Sequence, residues 1–186
     1  MYRPGLPGCI TLGVMKRYAS FFDWRDRQQA ELGVVEELVS ALADRGERRF
    51  STPQSYKPDP PDCVCLNEDG QRVAVEVTEV VCSKAVSANA QGHEVYRNWR
   101  PGELYEHLAQ QLRAKDQKSF HGGPYREIVV CLFTDEPLLT INRVTKELEA
   151  SVFGPYAQVT AAYLLVSYDP SSKTYPVHTI HIKNAA

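Results

Sequence analysis

Along residues 26–45 the chain repeats with a helical period. Glu31, Val35, Leu38 and Leu42 fall at steps of four, three and four, and Gly46 follows as a stop. A proline-rich stretch comes next, with Pro53, Pro58, Pro60 and Pro61. Each proline drives its predecessor out of the helical region, so an extended or irregular path is expected. Alternation then takes over. Residues 62–66 read as a strand, and Asn67-Glu68-Asp69-Gly70 as a turn. Residues 72–81 read as the clearest strand, with Val73, Val75 and Val77 on one face and Ala74, Glu76 and Thr78 on the other. Residues 83–101 are polar and predict a long loop. A second helix is predicted over 103–119, where Leu104, Leu108, Gln111, Lys115 and Lys118 share a face with Leu112 beside it, and His121-Gly122-Gly123-Pro124 ends it. Residues 127–134 form an apolar run suited to a strand buried on both faces. A helix over 142–153, a buried strand over 161–168 and a last strand over 177–182 complete the pattern, while residues 1–22 carry no period and predict an irregular leader. With no repeat and no linker, the expectation is one mixed α/β domain spanning 1–186.

Composition narrows the function classes. The chain has 186 residues, 43% apolar and 24% charged, which suits a globular core and excludes a disordered chain. A formal net charge of −2 excludes a strongly basic nucleic-acid binder but leaves room for a local basic groove. The longest apolar runs fall far short of the roughly 20 residues of a membrane helix, so no membrane partner and a cytoplasmic location are expected. Leu6-Pro7-Gly8-Cys9 has the look of a lipoprotein cleavage site, but no apolar stretch precedes it. The five cysteines include Cys63-x-Cys65, whose thiols share one strand face, and no CxxC pair. Reduced, mostly buried thiols are expected rather than a zinc site. His178 and His181, three apart on a strand, face opposite ways and do not suggest a metal site. No nucleophile elbow, phosphate loop or dinucleotide fingerprint is present.

The chemically informative feature is Pro61-Asp62 followed by Glu76-Val77-Thr78. With Glu68-Asp69-Gly70 as a three-residue loop, Asn67 faces Gln71 and Asp62 lies opposite Glu76. A two-residue Asp69-Gly70 loop would shift the pairing by one place. In the first register the two carboxylates share a face on adjacent strands, with Cβ atoms about 4.5–5.5 Å apart. Carboxylates that close repel unless a cation lies between them, and a hard divalent ion with oxygen ligands is the natural occupant. Plainer readings stand beside this one. Asp62 suits a turn, Glu76 an exposed sheet face, Lys115 a side chain snorkelling to water, and Glu31 the acidic first turn of a helix.

The arrangement resembles the PD-(D/E)xK nuclease superfamily. Its core order of helix, three strands, helix, strand matches residues 27–135, with 136–186 extending the sheet. Asp62, preceded by Pro61, matches the motif aspartate and Glu76 the second acid, while Thr78 stands where the motif has lysine. Some members carry that lysine on the following helix, where Lys115 is in phase and Lys118 lies one turn on. Glu31 matches the glutamate often found on the first helix, and Glu36 and Glu37 fall off its face. The resemblance implies a restriction-endonuclease-like α/β fold, a central mixed sheet flanked by helices, and metal-dependent hydrolysis of phosphodiester bonds. Mg²⁺ or Mn²⁺ would be held by Asp62, Glu76 and the Val77 carbonyl. Lys115 would orient water or offset charge, and Glu31 would hold a metal water or a second ion. Arg97, Arg100, Arg113 and Lys118 would contact the phosphates of a nucleic acid, DNA foremost, and a homodimer is among the assemblies open to it. Tyr56, Tyr96, Trp99 and Tyr105 suit base stacking or the core equally. The missing motif lysine also supports an alternative: a catalytically inactive domain of the same fold that binds nucleic acid or a protein partner.

Overall fold

The computed structural model describes residues 26–82 and 98–185, together with Ala85, Ser87 and Gln91. The expected leader over 1–22, and most of the expected loop over 83–101, lie outside them. The first helix, α1 (Arg27–Asp44), begins where Asp26 caps it by accepting from the N–H groups of Gln28 and Gln29. Its buried face carries Glu31, Val35, Leu38 and Leu42, the positions the period selects. After the proline-rich stretch come β1 (Gln54–Ser55), β2 (Cys63–Leu66) and β3 (Arg72–Glu79). The remaining elements are α2 (Glu103–Asp116), β4 (Glu127–Thr134), α3 (Ile141–Leu148), β5 (Phe153–Tyr156), β6 (Ala161–Val166), β7 (Val177–Ile180) and β8 (Ile182–Asn184).

Six strands form one mixed sheet in the order β1-β2-β3-β4-β6-β7. The central strands β3, β4 and β6 run parallel, and the pairs at both edges are antiparallel. Parallel neighbours need crossovers, and α2 and α3 supply them. Both cover the same face. Leu104, Leu108 and Leu112 of α2 and Val144 and Leu148 of α3 pack there on Val130, Leu132, Ala162 and Leu164. On the other face α1 packs Val35, Leu38 and Leu42 against Val73, Val75, Val77, Cys63 and Cys65. Strands β3, β4 and β6 are therefore buried on both sides, which is why their sequences are nearly continuous apolar runs. Cys63, Cys65 and Cys131 are buried free thiols within that packing.

Three expectations need correction. Phe153 does not end a helix: α3 stops at Leu148, and Phe153 opens β5, pairing with Ile182 in a separate two-stranded sheet. The last strand is likewise two elements, with His181 between them accepting from Phe153 N–H through its carbonyl. The hairpin also has a third member that the sequence pattern did not locate, since Gln54 and Ser55 pair with Val64 and Cys63. Two-residue strands carry no readable alternation. Among the described residues no helix is long and apolar enough to cross a membrane.

At the ends of β3 and β4, Thr134 Oγ1 donates to the Val80 carbonyl at 2.9 Å and Glu136 accepts from Cys82 N–H at 3.0 Å. Glu79 lies beside them without a hydrogen-bond partner for either carboxylate oxygen. Burial, and the nearby charges of Asp135 and Glu136, push its carboxyl up to about 8. A carboxyl raised on folding contributes stability that is complete below its unfolded value and is lost as pH rises through the folded one. Glu79→Gln is therefore expected to raise the melting temperature by a few degrees at pH 9 and to leave it nearly unchanged at pH 4, as thermal unfolding at the two pH values would show.

Candidate metal centre

The hairpin register decides which acids meet. Asn67 N–H donates to the Gln71 carbonyl at 2.9 Å, and Cys63 faces Val75, Cys65 faces Val73 and Leu66 faces Arg72. This is the three-residue-loop register, and continued by one pair it sets Asp62 opposite Glu76. Beyond the end of β2, Val77 N–H finds no strand backbone, and the Asp62 carboxylate accepts it at 2.7 Å. Asp62 is buried, and the Asp62 carbonyl also accepts from Tyr56 N–H at 3.0 Å. The aspartate is thus fixed from both its backbone and its side chain.

Glu76 lies on the central strand β3 with 0% of its surface exposed. Its side chain points to the face covered by α2, where Leu104, Leu108, Leu112 and Lys115 form one buried stripe. Lys115 Nζ reaches Glu76 Oε2 at 2.7 Å and the Val77 carbonyl at 3.0 Å. Lys118, just past the end of α2, reaches the same Oε2 at 2.7 Å. Burial works against the Lys118 charge, but its bond to Glu76 holds its pKa above the ordinary lysine value. Glu76 Oε1, by contrast, is buried with no hydrogen-bond partner. A buried carboxylate oxygen left bare costs roughly 1–3 kcal/mol, more when charged, so its environment calls for a further ligand.

One carboxylate oxygen each from Asp59, Asp62 and Glu76 lie within 4.8 Å of one another. The donor set, three carboxylate oxygens, suits a hard cation. Asp59 is the member that the sequence reading missed. It lies in a turn between two prolines, where nothing but proximity to Asp62 marked it. Asp59 and Asp62 border a cleft of about 410 Å³, lined also by Arg27, Glu31, Tyr56 and Lys57, and Glu76 lies buried behind them. Burial, then the neighbouring Glu76 charge, push the Asp62 carboxyl up to about 6, against the Val77 N–H and Lys115, which favour its ionised form.

Glu31 lines this cleft but is held by Arg27 Nε at 2.6 Å and is not one of the three clustered acids. Of the cations assigned to phosphates, Lys118 joins the site. Arg100 lies at the start of α2, where its N–H donates to Glu103, and Arg113 is exposed near Tyr156; neither lines the cleft. Arg97 lies outside the described residues, as does Tyr96. Trp99 is core, edge-to-face on His107, and Tyr105 packs on Phe153 with ring centroids 4.6 Å apart. Tyr56 is the aromatic candidate that borders the acids. Comparison with known proteins finds no relative: no family model, curated protein or solved structure matches the chain.

Two outcomes are expected. Lys115→Met should cost about 3 kcal/mol in urea unfolding because it strands a buried carboxylate, and adding Glu76→Gln should restore much of that loss. The raised Asp62 carboxyl contributes stability that is complete below pH 3.8 and lost as pH rises through about 6. Without metal, Asp62→Asn should therefore be more stable than wild type at pH 7.5, by about 2–3 kcal/mol at most, and equal to it near pH 4, measured by urea titration at both.

Proposed function

We propose that the chain is a metal-dependent phosphodiesterase acting on nucleic acid, a divergent PD-(D/E)xK-like nuclease in which the second helix supplies the lysine absent from the strand. The observation that carries this reading is the Lys115 ammonium, within hydrogen-bond distance of both Glu76 and the Val77 carbonyl beside the clustered acids. Thr78 occupies the motif lysine's place in the chain, and Lys115 supplies a cation to the same pair of groups from α2. The element order α1-β1-β2-β3-α2-β4, with β1 as the third strand of the hairpin sheet, supports a restriction-endonuclease-like core over residues 27–135. The later elements then extend its sheet.

Asp62, Glu76 and Asp59 would hold Mg²⁺ or Mn²⁺, and Glu76 Oε1 has no hydrogen-bond partner among the described residues. A bound divalent ion would acidify water and offset charge on the phosphate. The Val77 N–H holds Asp62 in place, so that carboxylate enters the site pre-oriented. Lys115 holds Glu76 in place through Oε2 and would offset charge building on a phosphate oxygen. Lys118 neutralises more of the acid charge and eases the approach of a polyanion.

The alternative, a silent binding domain of the same fold, has the lysine-free strand in its favour. The test is cleavage of mixed DNA and RNA substrates with Mn²⁺, wild type beside Asp62→Ala, Glu76→Ala and Lys115→Ala. Metal-dependent cutting is expected, at least about 100-fold slower in each acid variant. Wild-type protein alone should also gain melting temperature with Mn²⁺, since saturation at 100 times Kd adds about 2.7 kcal/mol. Stabilisation by Mn²⁺ without cutting of any substrate would favour the silent domain, and equal cutting by all variants would remove the site's role.

A further inference from the structure

Tyr56 borders two clefts of opposite chemistry. On one side is the acidic cleft with Asp59 and Asp62. On the other is a groove of about 330 Å³ along β1 and β2, lined by Ser51, Gln54, Ser55, Val64, Leu66 and Arg72 among others, and containing no carboxylate. Charge therefore changes between two clefts that share Tyr56, from one with four carboxylates beside Arg27 and Lys57 to one with Arg72 and uncharged donors. Arg72 is held in position, donating to the Gly122 carbonyl and lying over the Tyr125 ring at 4.9 Å from its centroid. Leu66 is 40% exposed in this groove, an apolar floor left to solvent.

Tyr56 is also fixed relative to the acids. Its N–H donates to the Asp62 carbonyl at 3.0 Å, and its hydroxyl end lies against Gly122. Gly122, at φ +70°, closes on the phenol where any side-chain carbon would collide with it. A ring anchored this way forms a rigid face beside the metal cluster.

We infer that this groove holds an unpaired base of a single-stranded nucleic acid, stacked on Tyr56, while the adjoining phosphate reaches the acidic cleft. Stacking needs a base whose face is free, and in a duplex both faces are covered by neighbours. The groove's volume is at the small end of ligand clefts and suits one base, not a pair. Arg72 and the groove's hydroxyl and amide groups meet the base edge or the sugar-phosphate. A peptide adding to the sheet edge fits less well, because β1 offers only two residues of ladder. The substrate class rests on the nuclease reading; the binding groove itself does not.

The test is binding by the full chain without metal, in EDTA. Short single strands of DNA and of RNA, and the matching duplexes, carry 2-aminopurine and are followed by anisotropy and fluorescence quenching. Single strands are expected to bind about ten-fold or more tightly than duplex, with quenching on binding. Tyr56→Phe should keep both, whereas Tyr56→Leu should lose the quench and about ten-fold in affinity, with melting temperatures showing that both variants fold. Preference between the DNA and RNA strands names the source of the base and supports the groove either way. Equal or tighter binding of duplex, or unchanged quenching in Tyr56→Leu, overturns it. Cleavage of duplex alone, dependent on Asp62 and Mn²⁺, would overturn the groove and keep the nuclease. Single-strand binding through Tyr56 with no cleavage under any metal would keep the groove and overturn the nuclease.

Discussion

A glutamate with no exposed surface, on a central strand of the mixed sheet, is the constraint around which this molecule is arranged. A charge there is costly unless it is paired, and it is paired twice: Lys115 and Lys118 both bond to one oxygen of Glu76. That requirement fixes the position of α2. The helix must lie across β3 so that a lysine in its apolar stripe meets the carboxylate, and the leucines of the stripe then pack against β4 and β6. The crossover helix and the ion cluster are thus one structural decision. Both lysines leave the other Glu76 oxygen without a hydrogen bond among the described residues, and the proposed centre rests on that asymmetry. A pair selected only for stability would satisfy both oxygens or replace them with apolar groups.

The proline-rich turn plays the complementary part. It brings Asp59 and Asp62 beside Glu76 of β3, on which Lys115 of α2 and Lys118 just beyond it converge. It also joins the loop beyond α2, since His121 N–H donates to the Pro60 carbonyl and Gly122 closes on Tyr56. Acids, lysines and the Tyr56 ring are therefore supported by a single set of contacts between two loops and one helix end. This is the rigid support that a preorganised site needs. The cations set farther off, Arg100 and Arg113, have other surroundings, so the basic surface around the proposed centre is smaller than residue type alone suggests.

What the sequence by itself determined is periodic or strictly local. The helical phase of Glu31 with Val35, Leu38 and Leu42, and of Lys115 with Leu104, Leu108 and Leu112, is a property of spacing, and burial follows it. The turn at Asn67–Gly70 narrowed the hairpin to two registers, and the structure selected the three-residue loop that sets Asp62 opposite Glu76, because loop length sets register. Buried strands β4 and β6 announce themselves as apolar runs. Only the tertiary structure decided what depends on contacts distant in the chain. Strands as short as β1, β5 and β8 have no period to read, and β5 exists because Phe153 finds Ile182. Asp59 and Tyr56 carry no pattern of their own; they matter because the turn folds back over β3. That both lysines would choose one oxygen of Glu76, leaving the other bare, is set by packing geometry between a helix and a sheet, which spacing along the chain does not encode.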